Sequence, residues 1–219
     1  MKVLIAVETC HKFNYNMQAV DDCMVLYRGP EMDWTTFRPP IIRETWWKDV
    51  PDSVTKKFFY GSPAPREPEA DEVFLPVKDD YAHLPYKTKA ICQWALDHDV
   101  THMFKVDDDT FVYVDRLLNS IPTDPWSGRY NGGEFVAGGP GYWVNADAMR
   151  VIAQAPVNIK HEWAEDKWAS SALLRANFRP HFDNRYVDLR RGSVADDTLA
   201  VCECHQHKMR ELYSSRQTA

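Results

Sequence analysis

The stretch THMFKVDDDTFV, residues 101–112, indicates both a fold and a site. Residues 101–106 predict a strand that runs directly into three consecutive aspartates, Asp107, Asp108 and Asp109. Another apolar pair, Phe111 and Val112, follows at once. Open α/β sheets bind their ligands at the carboxyl ends of strands. We therefore expect this acidic triplet to lie at a ligand-binding edge of a sheet.

Predicted strands and helices alternate along the chain. The predicted strands are residues 2–8, 57–61, 73–77, 101–106, 142–144 and 199–204. The predicted helices are residues 16–27, 41–47, 84–98, 146–155 and 163–177, with irregular segments expected at residues 9–16 and 28–40. This alternation favours a single-domain α/β fold in which helices flank a mostly parallel, Rossmann-like central sheet.

The charge of the chain limits the partners it can have. The net charge is -6 and the sequence pI about 5.7, so charge alone does not indicate a polyanion-binding protein. The C-terminal third is nevertheless rich in basic residues, which leaves a phosphate-bearing partner such as nucleic acid open. These basic residues are Arg175, Arg179, Arg185, Arg190, Arg191, Lys208 and Arg210.

Cysteine usage and hydropathy indicate a compartment. Five cysteines at irregular spacings argue against a disulfide framework and favour a reducing environment. The sequence Cys202-Glu-Cys204-His205-Gln-His207 suggests zinc, although its spacing differs from the usual structural sites. No apolar run is long enough to span a bilayer or to form a signal peptide. We expect a soluble, cytoplasmic protein with no membrane partner.

The acidic triplet points to a divalent metal ion. Neighbouring carboxylates repel one another, and a divalent cation relieves that repulsion. Mn²⁺ and Mg²⁺ prefer oxygen ligands, including those of phosphates, so the triplet predicts Mn²⁺ (or Mg²⁺) bridging to a nucleotide diphosphate. A solvated turn or a helix cap would also explain three aspartates at this position.

A second acidic pair, Glu165 and Asp166, precedes an amphipathic run. A carboxylate here could act as a general base and remove the proton of an attacking hydroxyl. Acidic residues also stabilise the first turn of a helix, which is the simpler reading. The nearby Trp163 and Trp168 could stack on an acceptor sugar, or they could be core residues.

A glycine turn and a C-terminal histidine complete the set of candidates. The turn, residues 138–141, includes Gly139 and permits a close approach of backbone to a ligand, as an ordinary turn also would. It matches neither the P-loop nor the dinucleotide fingerprint. Strand alternation through residues 201–205 would put His205 beside Val201 and Glu203, where it could complete a metal site. His207 is the second candidate.

Six segments, taken in order, resemble the β-1,3-galactosyltransferase and Fringe-type family of inverting glycosyltransferases. They correspond to its patterns I-R-x-T-W, F-x-x-G, D-x-Y-x-N-L-x-x-K-T, F-K-x-D-D-D-x-F-V, G-G-x-G-Y-V-L and E-D-V. The segments are IIRETW at residues 41–46, FFYG at 58–61, DDYAHLPYKT at 79–88, FKVDDDTFV at 104–112, GGPGYWV at 138–144 and Glu165-Asp166.

The resemblance implies a GT-A-like fold, a UDP-sugar donor, Mn²⁺ and a single displacement with inversion. Residues 1–110 would form the half that binds the nucleotide-sugar, and residues 111–219 the acceptor and catalytic half. The implied catalytic base is Asp166, with Glu165 as its substitute. The implied metal ligands are Asp107, Asp109 and His205, and the implied nucleotide-binding residues are Thr9, Arg43, Lys87, Asp107, Asp108 and Gly139.

The acceptor is not implied by the resemblance. Residues 12–40 look like an insertion, and Lys167 follows the acidic pair where the family has an apolar residue. A glycan, another hydroxyl-bearing molecule and a modified base of nucleic acid all stay open as acceptors. Two other classes also stay open: a non-catalytic module that binds nucleotide-sugars or glycans, and a different metal-dependent enzyme acting on phosphates.

Overall fold

The computed structural model describes residues 1–10, 12–20, 23–33, 38–64, 66–158 and 164–216, with side chains described outside residues 11–38. Twelve strands occur in this part of the chain: β1 Val3–Glu8, β2 Lys12–Val20, β3 Cys23–Asp33, β4 Thr55–Ser62, β5 Glu72–Lys78, β6 His102–Asp107, β7 Phe111–Val112, β8 Trp126–Gly128, β9 Tyr142–Asn145, β10 His181–Phe182, β11 Tyr186–Asp188 and β12 Ala200–Cys202. The α-helices are α1 Arg38–Glu44, α2 Leu84–Asp97, α3 Val114–Leu118, α4 Ala146–Gln154, α5 Glu165–Arg175 and α6 Gln206–Ser215.

A seven-stranded sheet organises the molecule, with strand order β10-β8-β9-β6-β1-β4-β5. Strand β6 lies at its centre, and the neighbouring strand β1 pairs in parallel with both β6 and β4. Strand β9 pairs antiparallel with both β6 and β8, whereas the other pairings in this sheet are parallel. The predicted α/β class with a mostly parallel central sheet is therefore confirmed.

Alternating side chains of β1 divide the core between the two faces of the sheet. Val3, Ile5 and Val7 pack into one apolar cluster, together with α1, α3, α6 and the small sheet β11-β12-β7. Leu4 and Ala6 pack into a second cluster with α2, α4 and α5. Because side chains alternate along a strand, the next residue on this second face is Glu8. The carboxylate of Glu8 therefore comes directly after the apolar side chains of β1 that pack against α2 and α5.

The predicted helix at residues 16–27 is wrong. This segment belongs to an antiparallel hairpin, in which Met17 of β2 pairs with Leu26 of β3. The apolar residues at 17, 20 and 24 fit a helical period, but those at 13, 15, 17 and 19 also alternate as a strand does. The hairpin also replaces part of the irregular segments expected at residues 9–16 and 28–40.

The other predicted elements are present with shifted ends. Helix α1 starts before residue 41, and a separate 3₁₀ turn at Trp46–Asp49 follows it. Strand β12 ends at Cys202, because Glu203 adopts a positive φ of 62° and breaks the extended backbone. The short strands β8, β10 and β11 were not predicted. No helix of the described residues is long and apolar enough to cross a membrane.

Substituting alanine at Gly141 and at Gly132 tests how tightly Gly141 packs against the central sheet. Both have positive φ, 89° and 84°, so alanine is strained equally at each. A Cβ at Gly141 would lie 2.4 Å from Phe104 Cζ, whereas a Cβ at Gly132 would contact nothing within 4 Å. We expect Gly132→Ala to cost about 1 kcal/mol of unfolding free energy and Gly141→Ala about 2–4 kcal/mol. Urea unfolding measures both, and equal losses would contradict the packing argument.

Candidate functional site

A buried lysine connects the elements of the candidate site. Lys105 of β6 is 1% exposed, and its Nζ lies 2.6 Å from Glu8 Oε2, 2.9 Å from Asp107 Oδ1 and 3.1 Å from Glu165 Oε2. The three carboxylates come from β1, β6 and α5. We call these four residues the Lys105 network. It joins the two halves of the chain at the carboxyl end of the central strands.

Burial and pairing shift the pKa values within the Lys105 network. Burial alone would lower the pKa of Lys105, but the carboxylates of Asp107, Glu165 and Glu8 outweigh it and hold that pKa well above its usual range. Burial raises the pKa of Glu8 to about 7, although Lys105 opposes the shift. Burial likewise raises the pKa of Glu165. Near neutral pH, the charged Lys105 therefore lies beside two carboxyl groups, those of Glu8 and Glu165, that retain protons more readily than exposed ones.

The three aspartates of the triplet have different surroundings. The side chain of Asp107 is 41% exposed, although one of its oxygens is paired with Lys105. Asp108 is buried and accepts a hydrogen bond of 2.6 Å from Thr9 Oγ1. Asp109 accepts a backbone hydrogen bond of 2.8 Å from the Cys204 amide through its carbonyl oxygen. The side chain of Asp107 is thus open to solvent. Asp108 is hydrogen-bonded to the residue after β1, and Asp109 to the segment after β12.

Lys87 supports the segment that carries Thr9. Its Nζ is buried and donates to the Thr9 carbonyl oxygen at 2.7 Å and to Asp79 Oδ1 at 2.6 Å. Asp79 also accepts from the Gly61 amide at 2.9 Å. The ends of β1 and β4 are thereby fixed against the start of α2. Lys87, predicted to bind the nucleotide, thus contacts Thr9, the residue whose hydroxyl donates to Asp108.

The glycine turn brings the acidic triplet and the acidic pair together. A Cβ placed on Gly138 would lie 2.9 Å from Glu165 Oε2 and 3.2 Å from Asp166 Cβ. A Cβ on the next residue, Gly139, would lie 4.0 Å from Asp107 Oδ2. Neither glycine has a positive φ. Glycine at 138 is therefore explained by the lack of space for a side chain and not by backbone strain. The two predicted acidic sites are therefore parts of one site.

The two residues of the acidic pair differ in access. Glu165 is buried, and its Oε1 accepts a 2.6 Å hydrogen bond from the Tyr142 hydroxyl. Asp166 is partly exposed, and its Oδ2 accepts from Asn131 Nδ2 at 3.2 Å and from the Gly138 amide at 3.3 Å. A molecule in solvent can approach Asp166 but not Glu165.

Tyr81 is a site residue for which the sequence analysis assigned no role. Burial, with the nearby carboxylates of Asp107, Asp166 and Glu165, raises the pKa of the Tyr81 hydroxyl to about 12. The hydroxyl therefore keeps its proton near neutral pH and can donate a hydrogen bond. Tyr81 lies in a 3₁₀ turn just before α2.

The alternation proposed for residues 201–205 is wrong, because β12 ends at Cys202. His205 is exposed and stands at the N-cap position of α6, where its side chain makes no capping hydrogen bond, and the amide of the preceding residue donates to the Asp109 carbonyl oxygen. His205 therefore stays near the triplet by chain connectivity, and its role as a metal ligand stays a prediction. Among the described residues, a group of three potential ligands with mutually close atoms occurs elsewhere, at Glu69, Asp71 and Glu72.

Arg43 lies at that other acidic cluster. Its guanidinium binds both oxygens of Asp71, at 2.7 and 3.0 Å, and Glu72 at 3.0 Å. Arg66 binds Glu72 as well, at 2.6 Å. Two arginines thus offset most of the negative charge of this cluster, so three carboxylates can lie close together here without a metal ion. The prediction that Arg43 contacts a nucleotide stays a prediction.

Two sequence readings find no support in the described structure. Cys202 and Cys204 are buried free thiols, and neither belongs to a group of close potential metal ligands among the described residues. Trp168 is fully buried, and its Nε1 donates to the Pro156 carbonyl oxygen at 3.0 Å, so it is a core residue rather than a sugar-stacking surface. Trp163 lies outside the described residues.

Comparison with known proteins finds chains of similar structure among the solved structures. No protein-family model and no curated protein matches the sequence. One similar solved structure is the crystal structure of a glycosyltransferase involved in the glycosylation of the major capsid of PBCV-1. The two are 14% identical with a TM-score of 0.49, and the alignment covers 98% of this chain and 100% of the other. Similarity at this level does not assign a function.

Lys105→Met tests the Lys105 network. The substitution leaves Glu8 and Glu165 buried without their cation, and breaking such a pairing costs about 3–5 kcal/mol. Lys89→Met is the matched control, because the ammonium of Lys89 donates to a carbonyl oxygen of Ala155. We expect that control to cost about 1 kcal/mol. Denaturant unfolding at pH 8 measures both, and a loss no larger for Lys105→Met than for the control would contradict the network's importance.

Glu8→Gln tests the raised pKa of Glu8. A carboxyl whose pKa rises from 4.5 to about 7 on folding contributes stability that is present below pH 4.5 and is lost as the pH rises to about 7. Wild type should therefore lose about 2–3 kcal/mol relative to Glu8→Gln across this interval. Unfolding curves at pH 4.5, 6 and 8 measure the difference, and a constant difference would rule the shift out.

Proposed function

We propose that this protein is a metal-dependent, inverting glycosyltransferase of GT-A-like fold, which transfers a sugar from a UDP-sugar to an acceptor hydroxyl. The observation that carries the proposal is the convergence of the acidic triplet and the acidic pair on Gly138 and Gly139. A carboxylate that would hold a metal ion beside the donor diphosphate, and a carboxylate that would act as base beside the acceptor hydroxyl, together would serve a metal-assisted single displacement. The family resemblance of the six sequence segments supports the same assignment.

Asp166 is the base in this proposal. It is partly exposed, and hydrogen bonds from Asn131 and Gly138 fix its carboxylate. The acceptor oxygen would bond to the anomeric carbon while the bond from that carbon to the diphosphate oxygen breaks. Asp166 would take the hydroxyl proton, and attack from the side opposite the diphosphate inverts the anomeric centre. Glu165 orients the site through Lys105 and Tyr142 and does not contact substrate.

The donor set of the triplet fits Mn²⁺ or Mg²⁺. Asp107 and Asp109 offer carboxylate oxygens, which these hard cations prefer, and the lack of a side chain at Gly139 leaves room beside Asp107 Oδ2. In the proposal Asp107, Asp109 and His205 hold the ion. When bound, the ion would neutralise the negative charge that develops on the leaving diphosphate.

The nucleotide would lie along the carboxyl ends of β1 and β6. Thr9 and Asp108 are bonded to each other there, and Lys87 fixes the Thr9 backbone. These contacts fix the backbone of Thr9 and the side chain of Asp108 at the place where the nucleotide would bind. Arg43 would reach the nucleotide only by giving up its pairing with Asp71 and Glu72.

A pair of substitutions separates donor binding from transfer. With Mn²⁺ and the right UDP-sugar, wild type should gain thermal stability, because the ligand binds the folded state. Asp166→Asn should keep that gain but lose about 10²–10⁴-fold in turnover. Asp109→Asn should lose the metal-dependent gain. Asp147→Asn, at an exposed aspartate of α4, is the control and should behave as wild type.

The readouts are thermal shift against a UDP-sugar panel with and without Mn²⁺, and release of UDP in the presence of candidate acceptors. An Asp166→Asn protein with full turnover would overturn the assignment of the base. If no nucleotide-sugar stabilises wild type in the presence of Mn²⁺, the donor site itself is refuted.

A further inference from the structure

Two aromatic rings are exposed at the edge of the central sheet. Tyr130 is 51% exposed and Phe182 38% exposed, and among the described residues they belong to a small group of exposed large apolar side chains. Their ring centroids are 5.1 Å apart and the ring planes meet at 86°. Phe182 lies on β10, the edge strand. Aromatic rings normally gain by burial, so a pair left exposed side by side marks a surface with something to bind.

The loop that carries Tyr130 also contacts Asp166 through a hydrogen bond. Residues 129–138 form a narrow turn, closed by a bridge between Tyr130 and Val136 and by a 2.8 Å hydrogen bond from the Ala137 amide to the Arg129 carbonyl oxygen. The residue after Tyr130 is Asn131, which donates to Asp166. Tyr130, which contacts Phe182, is therefore next in sequence to the residue that holds the proposed base.

We propose that Tyr130 and Phe182 form a saccharide-binding platform that holds a glycan acceptor next to Asp166. This inference rests on the proposed function and narrows its acceptor class to carbohydrate. The C–H-rich face of a pyranose ring packs on an aromatic face, and the two perpendicular rings offer an L-shaped surface to it. A sugar bound there would extend along the loop of residues 129–138 toward the base.

The charges of the described residues favour a neutral saccharide over a nucleic acid. Nucleic acids also stack on aromatic rings, but their binding depends on unpaired basic side chains along the backbone. The basic residues of the C-terminal third are largely paired with acids. The pairs are Arg185 with Asp183, Arg190 with Asp188 and Glu203, Arg210 with Glu44, and Lys208 with Glu211.

Size disfavours a second copy of the chain as the occupant. A stable protein–protein interface buries roughly 1,200–2,000 Å² in total, whereas two half-exposed rings offer a small part of that area.

Saturation-transfer NMR on the full chain, without nucleotide, tests the platform. The probes are methyl β-galactoside, methyl β-glucoside, methyl α-mannoside, methyl β-xyloside, lactose and cellobiose. We expect at least one of them to receive saturation from the aromatic protons of wild type. Its affinity should fall about tenfold in Tyr130→Ala and in Phe182→Ala, and should be kept in Tyr130→Phe, which retains the ring.

Tyr86→Ala is the matched control, because Tyr86 is also exposed but lies on α2, over the opposite end of the sheet. It should leave saccharide binding unchanged. Mn²⁺-dependent stabilisation by UDP-sugar should be the same in every aromatic variant, which separates failure of the platform from failure of the donor site. Thermal unfolding checks that the variants are folded.

Three outcomes overturn the platform. One is that none of the six saccharides binds wild type. Another is that binding survives both alanine substitutions. The third is that sedimentation shows a dimer that Tyr130→Ala abolishes, since this would assign the rings to a second copy of the chain.

Discussion

The ion pairing of Lys105 is the interaction on which the rest of the site depends. A lysine in the middle of a buried strand is unfavourable unless anions surround it, and here three carboxylates do so from β1, β6 and α5. Removing Lys105 would leave the buried carboxylates of Glu8 and Glu165 without their cation. The network therefore determines the position of the first residue of α5 against the carboxyl ends of the central strands. It also keeps one oxygen of Asp107 paired while the side chain stays partly open to solvent.

The glycines of the turn, residues 138–141, permit the close approach that the Lys105 network requires. Glu165 can reach Lys105 only if nothing lies between α5 and the turn, and a side chain at Gly138 would collide with it. Gly141 meets the same restriction against Phe104, with a positive φ in addition. Packing and electrostatics thus act on the same few residues. A side chain added at Gly138 would disturb the acidic pair and the buried lysine together, although it carries no charge.

The sequence was sufficient for those features that are local. The strand before the acidic triplet, the α/β class and the helix starting at the acidic pair are all present, because period and charge pattern determine them within a few residues. Features that depend on distant contacts were missed. Lys105 looks like an ordinary strand residue until Glu8 and Glu165 are placed beside it. The hairpin at β2 and β3 was mistaken for a helix because its apolar residues satisfy both periods. Strand β12 was overextended, since nothing local signals the positive φ of Glu203. The exposure of Tyr130 and Phe182 depends on which strand forms the edge of the sheet.

The different roles of Glu165 and Asp166 follow from helix geometry. Consecutive residues of an α-helix point about 100° apart, so two adjacent acids in the first turn cannot face the same surroundings. The Lys105 network draws Glu165 into the core, and Asp166 must then face the glycine turn and Asn131. Burial raises the pKa of Glu165, while the exposed position of Asp166 leaves it accessible to solvent. The start of α5 therefore places two adjacent acids differently. One is buried and fixes the helix, and the other is accessible and can accept a proton. Exchanging the two side chains would lose both functions, because each depends on its direction as well as on its charge.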